Sequence, residues 1–393
     1  MKVLLRAPLL TNSGYGVHSR QIFEWINEKE NIDLTVECLN WGQTPWLLNE
    51  NLENGLVGKI MSKSKKIEDK FDLSIQVQLP DEWNPNLAKR NIGISAFVET
   101  DRCNPKWIEA CNKMDMIIVP SEFTKNVAKR SGILMTQIVV IPEWFNEAVI
   151  NKMSEDEKVL EDSRMKFKSD FNFLIISQLT AANPKDDRKN IYNAIKWTLE
   201  EFDHDTNVGI VIKTNMGKGS SIDRKITINT IQKMLDSINT KNKKNRITLL
   251  HGNMEKEEIA CLYKHNKIKA IISPTRGEGY GLPLVDAAAS GLPVVATDKT
   301  GHVDFLTIED KEYYLPVTSR LIEIEKSKID NRIFFEGFRW CEPDEYSFKE
   351  KIRKLYKGYD SYKENSIKLS NHVSKYFSKD NIKKMYDKII FGN

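Results

Sequence analysis

A chain of 393 residues is long enough for two or three domains at about 100–200 residues each. Its 40% hydrophobic and 29% charged residues exclude a disordered or fibrous chain, and no apolar run approaches the roughly 20 residues that cross a bilayer. The net charge of +4 is spread thinly: residues 1–150 carry 17 Lys+Arg against 19 Asp+Glu and the remainder 42 against 36, so the first third lacks the basic stripe of a nucleic-acid binder.

The opening Met1-Lys-Val-Leu-Leu-Arg6 puts a charge after three apolar residues, so it reads as a first buried strand and not as the core of a secretory signal. Further β-rich runs follow at Leu34–Cys38, Leu73–Val77, Ile92–Phe97, Met116–Val119 and Ile138–Ile141. Amphipathic stretches lie between them at Val17–Asn27, Pro105–Asn112 and Ser121–Ser131, and Asn104 directly before Pro105 suits a helix N-terminus. Such alternation predicts a parallel sheet with helices on both faces. The charged stretch from Asn146 to Asp170 is poor in strand signals and reads as the linker. Alternation then restarts, with strands at Phe173–Ile176, Val208–Ile212, Ile247–Leu250, Ala270–Ile272 and Pro293–Ala296. Helical runs fill the gaps at Asn190–Glu201, Ile222–Ile238, Glu255–His265 and Leu284–Ser290. Two successive open α/β domains follow from this pattern, with the basic clusters Lys63–Lys66 and Lys241–Arg246 as solvated turns. Five scattered cysteines (Cys38, Cys103, Cys111, Cys261 and Cys341) form no CxxC or CxxH pair, which speaks against disulfides and structural zinc and for a reducing cytosol.

One stretch carries most of the chemistry. Ile271-Ile-Ser-Pro-Thr-Arg-Gly-Glu-Gly-Tyr-Gly-Leu-Pro-Leu-Val-Asp286 begins as a buried strand, turns through Gly277, Gly279 and Gly281, and enters a helix near Pro283. Glycines there let the backbone approach a ligand closely and aim several N–H groups the same way. The helix start adds roughly half a positive charge, so the loop suits a phosphate or another anion. Asp286 lies one turn into the helix, and Gly291-Leu-Pro293 ends it.

This stretch, with Gly-Tyr-Gly-Leu-Pro at 279–283 and Ala-Ala-Ala-Ser-Gly-Leu-Pro-Val at 287–294, resembles the E-x7-E signature of retaining glycosyltransferases of family 4. Here it is E-x7-D, from Glu278 to Asp286. Ser13-Gly-Tyr-Gly16, Met116–Lys125 with Ser131-Gly132 and Val140-Ile-Pro142, Leu249-Leu-His-Gly252 with Glu255–Tyr263, and Trp340-Cys-Glu-Pro-Asp344 are similar to further family segments in the same order. Asn381–Phe391 resembles the last helix, which in that family crosses back to the first domain. The resemblance is thinnest from Trp41 to Asn91. It implies an α/β chain of GT-B fold, two Rossmann-like domains with parallel sheets facing across a cleft. Residues 1–148 with 375–393 then form the acceptor-side domain, and residues 165–374 the nucleotide-sugar domain.

The resemblance also implies roles. Glu278 contacts hydroxyls of the donor sugar and Asp286 those of the ribose; a carboxylate suits both because it accepts two hydrogen bonds from a vicinal diol. Gly279, Tyr280, Gly281 and Leu282 complete the donor loop, and Gly14 and Gly16 form the glycine-rich turn after the first strand. The family's Arg and Lys after the first strand of the second domain fall on Gln178 and Lys189, so Gln178 is a departure and Arg188 or Lys213 supplies the missing charge. Glu99 stands near the position where many members place a histidine. His18 and His302 read as structural or solvent-facing. Asp203-His-Asp205 spells a DxD, but at a helix end, and reads as a charge cluster; neither a metal nor a cofactor is expected.

The expected activity is transfer of a sugar from a nucleotide diphosphate sugar to an acceptor hydroxyl by a metal-independent front-face mechanism, in the cytoplasm. Glycan, lipid-linked glycan and small metabolite all stay open as acceptor, as does peripheral contact with a membrane. The acidic balance of residues 1–150 makes nucleic acid a poorer partner. Trp41, Trp46 and Trp83 read as sugar-stacking or core residues. Alternatives are a glycosyltransferase acting on modified nucleic-acid bases, a GT-B sugar-nucleotide epimerase and a catalytically degenerate sugar-binding protein. A nicotinamide dehydrogenase, suggested by Gly14-Tyr-Gly16 and Glu37 about 20 residues on, is disfavoured by Ser19 in place of the third glycine and by the long loop Arg6–Ser13.

Overall fold

The computed structural model describes residues 1–67, 70–152, 155, 165–181, 183–215, 217, 219–241 and 246–392. Residues 153–154 and 156–164 of the expected linker, and 242–245 of the basic cluster Lys241–Arg246, lie outside these residues. The chain divides into two units. One is Met1–Trp144 with Ile329–Phe338 and Asp380–Asn393; the other is Phe145–Lys328 with Arg339–Lys379.

The first unit is built on β1 (Lys2–Ala7), β2 (Asp33–Cys38), β3 (Phe71–Val77), β4 (Ala88–Ile94), β5 (Met116–Val119) and β6 (Ile138–Val140). They form one parallel sheet in the order β2-β1-β3-β4-β5-β6. Strands covered on both faces are continuously apolar, which is why Val3, Leu4 and Leu5 are all buried. The first helix, Gly14–Asn27, starts three residues ahead of its apolar pattern because the Ser13 side chain accepts the Gly16 N–H at 3.0 Å. Gly16 is obligatory there: a Cβ would lie 2.0 Å from the Thr11 carbonyl oxygen. Helix Leu56–Lys63, which carries no sequence signal long enough to announce it, buries only Val57 and Ile60.

Two distant pieces complete this unit. Trp25 packs at 5.0 Å from Tyr386 and donates from Nε1 to Asp387 at 2.9 Å. Arg332 pairs with Asp81 at 2.7 Å and Glu82 at 2.6 Å, while Asn104 donates to the Arg332 carbonyl. Trp83 is a core residue, set so closely on Gly93 that a Cβ there would fall 2.6 Å from its ring.

The second unit repeats the plan with β7 (Phe171–Ile176), β8 (Val208–Lys213), β9 (Ile247–Leu250), β10 (Ile268–Ser273) and β11 (Val294–Thr297). A short hairpin of β12 (Thr307–Ile308) and β13 (Lys311–Glu312) precedes β14 (Leu315–Val317), and β15 (Ser319–Glu323) pairs antiparallel with β16 (Arg339–Pro343). The main sheet is parallel, in the order β14-β11-β10-β7-β8-β9. Its strand β10 runs out into the glycine loop, and helix Leu282–Ser290 follows. Asp203 and Asp205 are engaged locally, accepting from the Lys241 N–H and the Tyr356 hydroxyl, both at 2.7 Å. Among the described residues no helix is long and apolar enough to cross a membrane.

Candidate active site

The site of the second unit is assembled from two loops, one after β7 and one after β10. Asp187, fully buried, shapes the first. Its carboxylate accepts from the Thr180 hydroxyl at 2.6 Å, the Lys189 N–H at 3.2 Å and the Ile191 N–H at 2.9 Å, so it folds the loop and caps helix Ile191–Glu201 together. Asn190 then turns the chain in a left-handed conformation, φ +56°, and its side chain donates to the Pro274 carbonyl at 2.9 Å. Arg188 and Lys189 are thereby presented to the glycine loop.

Lys189 Nζ donates to both carboxylate oxygens of Glu278, at 2.6 and 2.7 Å. Arg188 lies 3.7 Å from the same carboxylate and donates to the Gly277 carbonyl. Burial alone would raise the Glu278 carboxyl, but the charges of Lys189 and Arg188 outweigh it and hold the group below its ordinary value. Glu278 is therefore a buried, ionised carboxylate with two cations beside it.

The backbone of Glu278 is fixed as well. Its N–H donates to the Thr300 hydroxyl at 3.1 Å, and its carbonyl accepts from the Gly301 N–H at 2.9 Å. Arg276, two residues earlier, is buried and makes a two-pronged pair with Glu342 at 2.6 and 3.2 Å. It also donates to the carbonyls of Pro184 and Asp187, both at 2.7 Å, and lies over the Trp340 ring. Arg276 thus ties the first loop to the second. The only trace of this role in the sequence is a basic residue inside an apolar, glycine-rich run.

Other expected site residues of this unit have different partners, and three belong to the first unit. Lys213 is buried and donates to the Gly252 carbonyl at 2.7 Å; burial pushes its ammonium down to about 8 against the pull of Glu258. Of the two cations offered in place of the family arginine, Arg188 is therefore the one beside Glu278. Gln178 is exposed on the loop after β7. The Tyr280 ring is buried against Phe305 at 5.2 Å, and Leu282 packs on the same apolar cluster, so both side chains serve the core beneath the loop. Gly281, at φ +105°, needs to be glycine, since a Cβ would also press on His302. His302 is fully buried and structural. Gly14, Gly16 and Glu99 belong to the first unit: the two glycines open its first helix, and half-buried Glu99 follows β4.

Asp286 accepts the Asn146 N–H at 2.7 Å. Burial pushes its carboxyl up to about 7, against the opposing pull of that N–H and of Lys256. Because its unfolded value is 3.8, this group stabilises the fold fully below that pH and loses the contribution as pH rises through about 7. Asp286→Asn keeps an oxygen for Asn146, so it should raise the melting temperature more at pH 8 than at pH 5. Equal shifts at the two pH values would refute the assignment.

Two six-stranded parallel sheets in this arrangement match glycosyltransferase structures of GT-B fold. Residues 230–320, which contain Glu278 and Asp286, match the family model described as glycosyl transferases group 1. Sucrose-phosphate synthase from Thermosynechococcus elongatus is 13% identical, with a TM-score of 0.63 over 100% of both chains. Anabaena HepE, solved in complex with UDP and glucose, is 12% identical with a TM-score of 0.62, again over 100% of both chains. A mutant of S. aureus TarM, in complex with fondaparinux, alpha-GlcNAc-glycerol and UDP, is 18% identical with a TM-score of 0.51 over 80% of this chain and 54% of its own. The chain thus spans about half the length of TarM. No curated protein matches the sequence.

Proposed function

We propose that the chain is a retaining glycosyltransferase that moves a sugar from a nucleotide diphosphate sugar to an acceptor hydroxyl without a metal, in the cytoplasm. The observation that carries this reading is the bidentate Lys189–Glu278 pair with Arg188 beside it, at the mouth of a glycine loop inside the matched segment 230–320. Ionised Glu278 accepts from hydroxyls of the donor sugar. Lys189 and Arg188 hold the diphosphate, and the N–H groups of the glycine loop add to them. In the front-face step the anomeric carbon–oxygen bond breaks and its electron pair goes to the diphosphate oxygen. The acceptor oxygen bonds to the same face of the sugar and passes its proton to that departing oxygen. Configuration is retained, and no protein nucleophile is needed.

Arg188 takes the place of the family arginine, and Asp286 binds the ribose in its ionised form. A uridine nucleotide is the favoured donor, because TarM and HepE were both solved with UDP. The acceptor hydroxyl belongs to a glycan, a lipid-linked glycan or a small molecule. The test is a donor-hydrolysis screen over UDP, GDP and ADP sugars, with and without EDTA, followed by acceptor screening. Slow hydrolysis of one donor class that EDTA leaves unchanged, and an α-linked product from an α-linked donor, are the expected results. A protein that cleaves none of them, or that epimerises the donor with no acceptor present, is not this enzyme.

A further inference from the structure

Thr300 occupies a backbone conformation that its side chain disfavours. Its φ is +85°, in the left-handed region where a β-branched residue is a genuine outlier. Strain of this kind persists only where the surroundings impose it, and here the surroundings can be named. His302 Nε2 donates to the Thr297 carbonyl at 2.7 Å, and burial holds the ring in its neutral form, so Nδ1 is left as an acceptor. The Thr300 hydroxyl lies 3.4 Å from that Nδ1 and donates to it, which turns the hydroxyl's lone pairs toward the Glu278 N–H at 3.1 Å. The next residue, Gly301, donates to the Glu278 carbonyl at 2.9 Å. Both sides of Glu278 are gripped by one short turn.

A glycine at 300 would adopt this backbone without strain and would lack the hydroxyl. The threonine therefore gains nothing for the turn itself; what it adds is a directed acceptor for Glu278. We infer that Thr300 is a positioning residue, which accepts backbone strain to fix the peptide of Glu278 and so aims its carboxylate at Lys189 and at the donor sugar. This inference rests on the glycosyltransferase reading for its kinetic consequence only; the positioning itself is a property of the unliganded protein.

Thr300→Gly and Thr300→Ser test it in the full chain. In Thr300→Gly the melting temperature should rise, amide hydrogen exchange at Glu278 should accelerate at least about tenfold, and kcat for donor cleavage should fall about tenfold or more with KM changed much less. Thr300→Ser, which restores the hydroxyl, should recover Glu278 protection and bring kcat back to within about threefold of the parent. A Glu278 amide that stays protected in Thr300→Gly overturns the inference, as does a melting temperature that falls together with kcat in both variants. If the exchange results hold while the parent cleaves no nucleotide sugar, the positioning stands and the proposed activity fails.

Discussion

Lys189→Ala should lower the transfer rate by about 10²–10³ while the protein stays folded, a loss of the size found for one preorganised donor at a developing anion. A cation about 4 Å from a phosphate is worth roughly 4 kcal/mol at an effective dielectric near 20, so the electrostatics are large enough to support that figure. The opposing effect is smaller. Removing the lysine takes two hydrogen bonds from buried Glu278, but Arg188 remains 3.7 Å away and the carboxyl can rise in pKa and take up a proton. Lys189→Met, which keeps the alkyl stem, separates lost charge from lost packing. Release of nucleoside diphosphate gives the rate, and circular dichroism on heating gives the stability. Rates like the parent's in both variants would remove Lys189 from the chemistry.

Arg276→Ala should strongly destabilise this unit. Arg276 is buried, and its loss strips Glu342 of its partner and takes a charged donor from the carbonyls of Pro184 and Asp187, the second of which keeps only the Asn190 N–H at 3.0 Å. Breaking a buried pair from one side costs about 3–5 kcal/mol, and a melting temperature lower by roughly 10 °C follows for a unit of this size. Transfer should also fall at temperatures where the variant is still folded, because the same guanidinium holds the loop that presents Arg188 and Lys189. Arg276→Lys should rescue little, since an ammonium cannot reproduce the planar fork. A melting curve within about 2 °C of the parent would show that the clamp contributes little.

The sheets were legible because a parallel strand with both faces covered must be apolar along its length, and Val3–Leu5, Met116–Val119 and Phe173–Ile176 are. β4 begins four residues before its expected start, since Ala88–Asn91 are mixed in polarity and join the sheet by backbone pairing with β3. Helix Leu56–Lys63 escaped notice because two buried side chains give no measurable period. At the site, Glu278 and Asp286 stand out only through the resemblance of residues 278–286 to the E-x7-E signature, a pattern that is local in the chain. Arg276 and Thr300 could not be given roles, because their partners lie 66 and 22 residues away and only the folded chain brings them together. The resemblance of residues 279–283 puts Tyr280 and Leu282 in the donor loop, and their side chains pack on the apolar cluster under it.

The interleaved course of the chain has a practical consequence. Ile329–Phe338 and the C-terminal residues from Asp380 are covalently outside the first 144 residues yet belong to their core. A gene truncated after codon 144 would therefore encode a fragment whose Trp25 has lost Tyr386 and Asp387 and whose Asp81 and Glu82 have lost Arg332. Expression of the first 144 residues alone is expected to give insoluble material, and a soluble version would have to be built by splicing the two missing pieces back on.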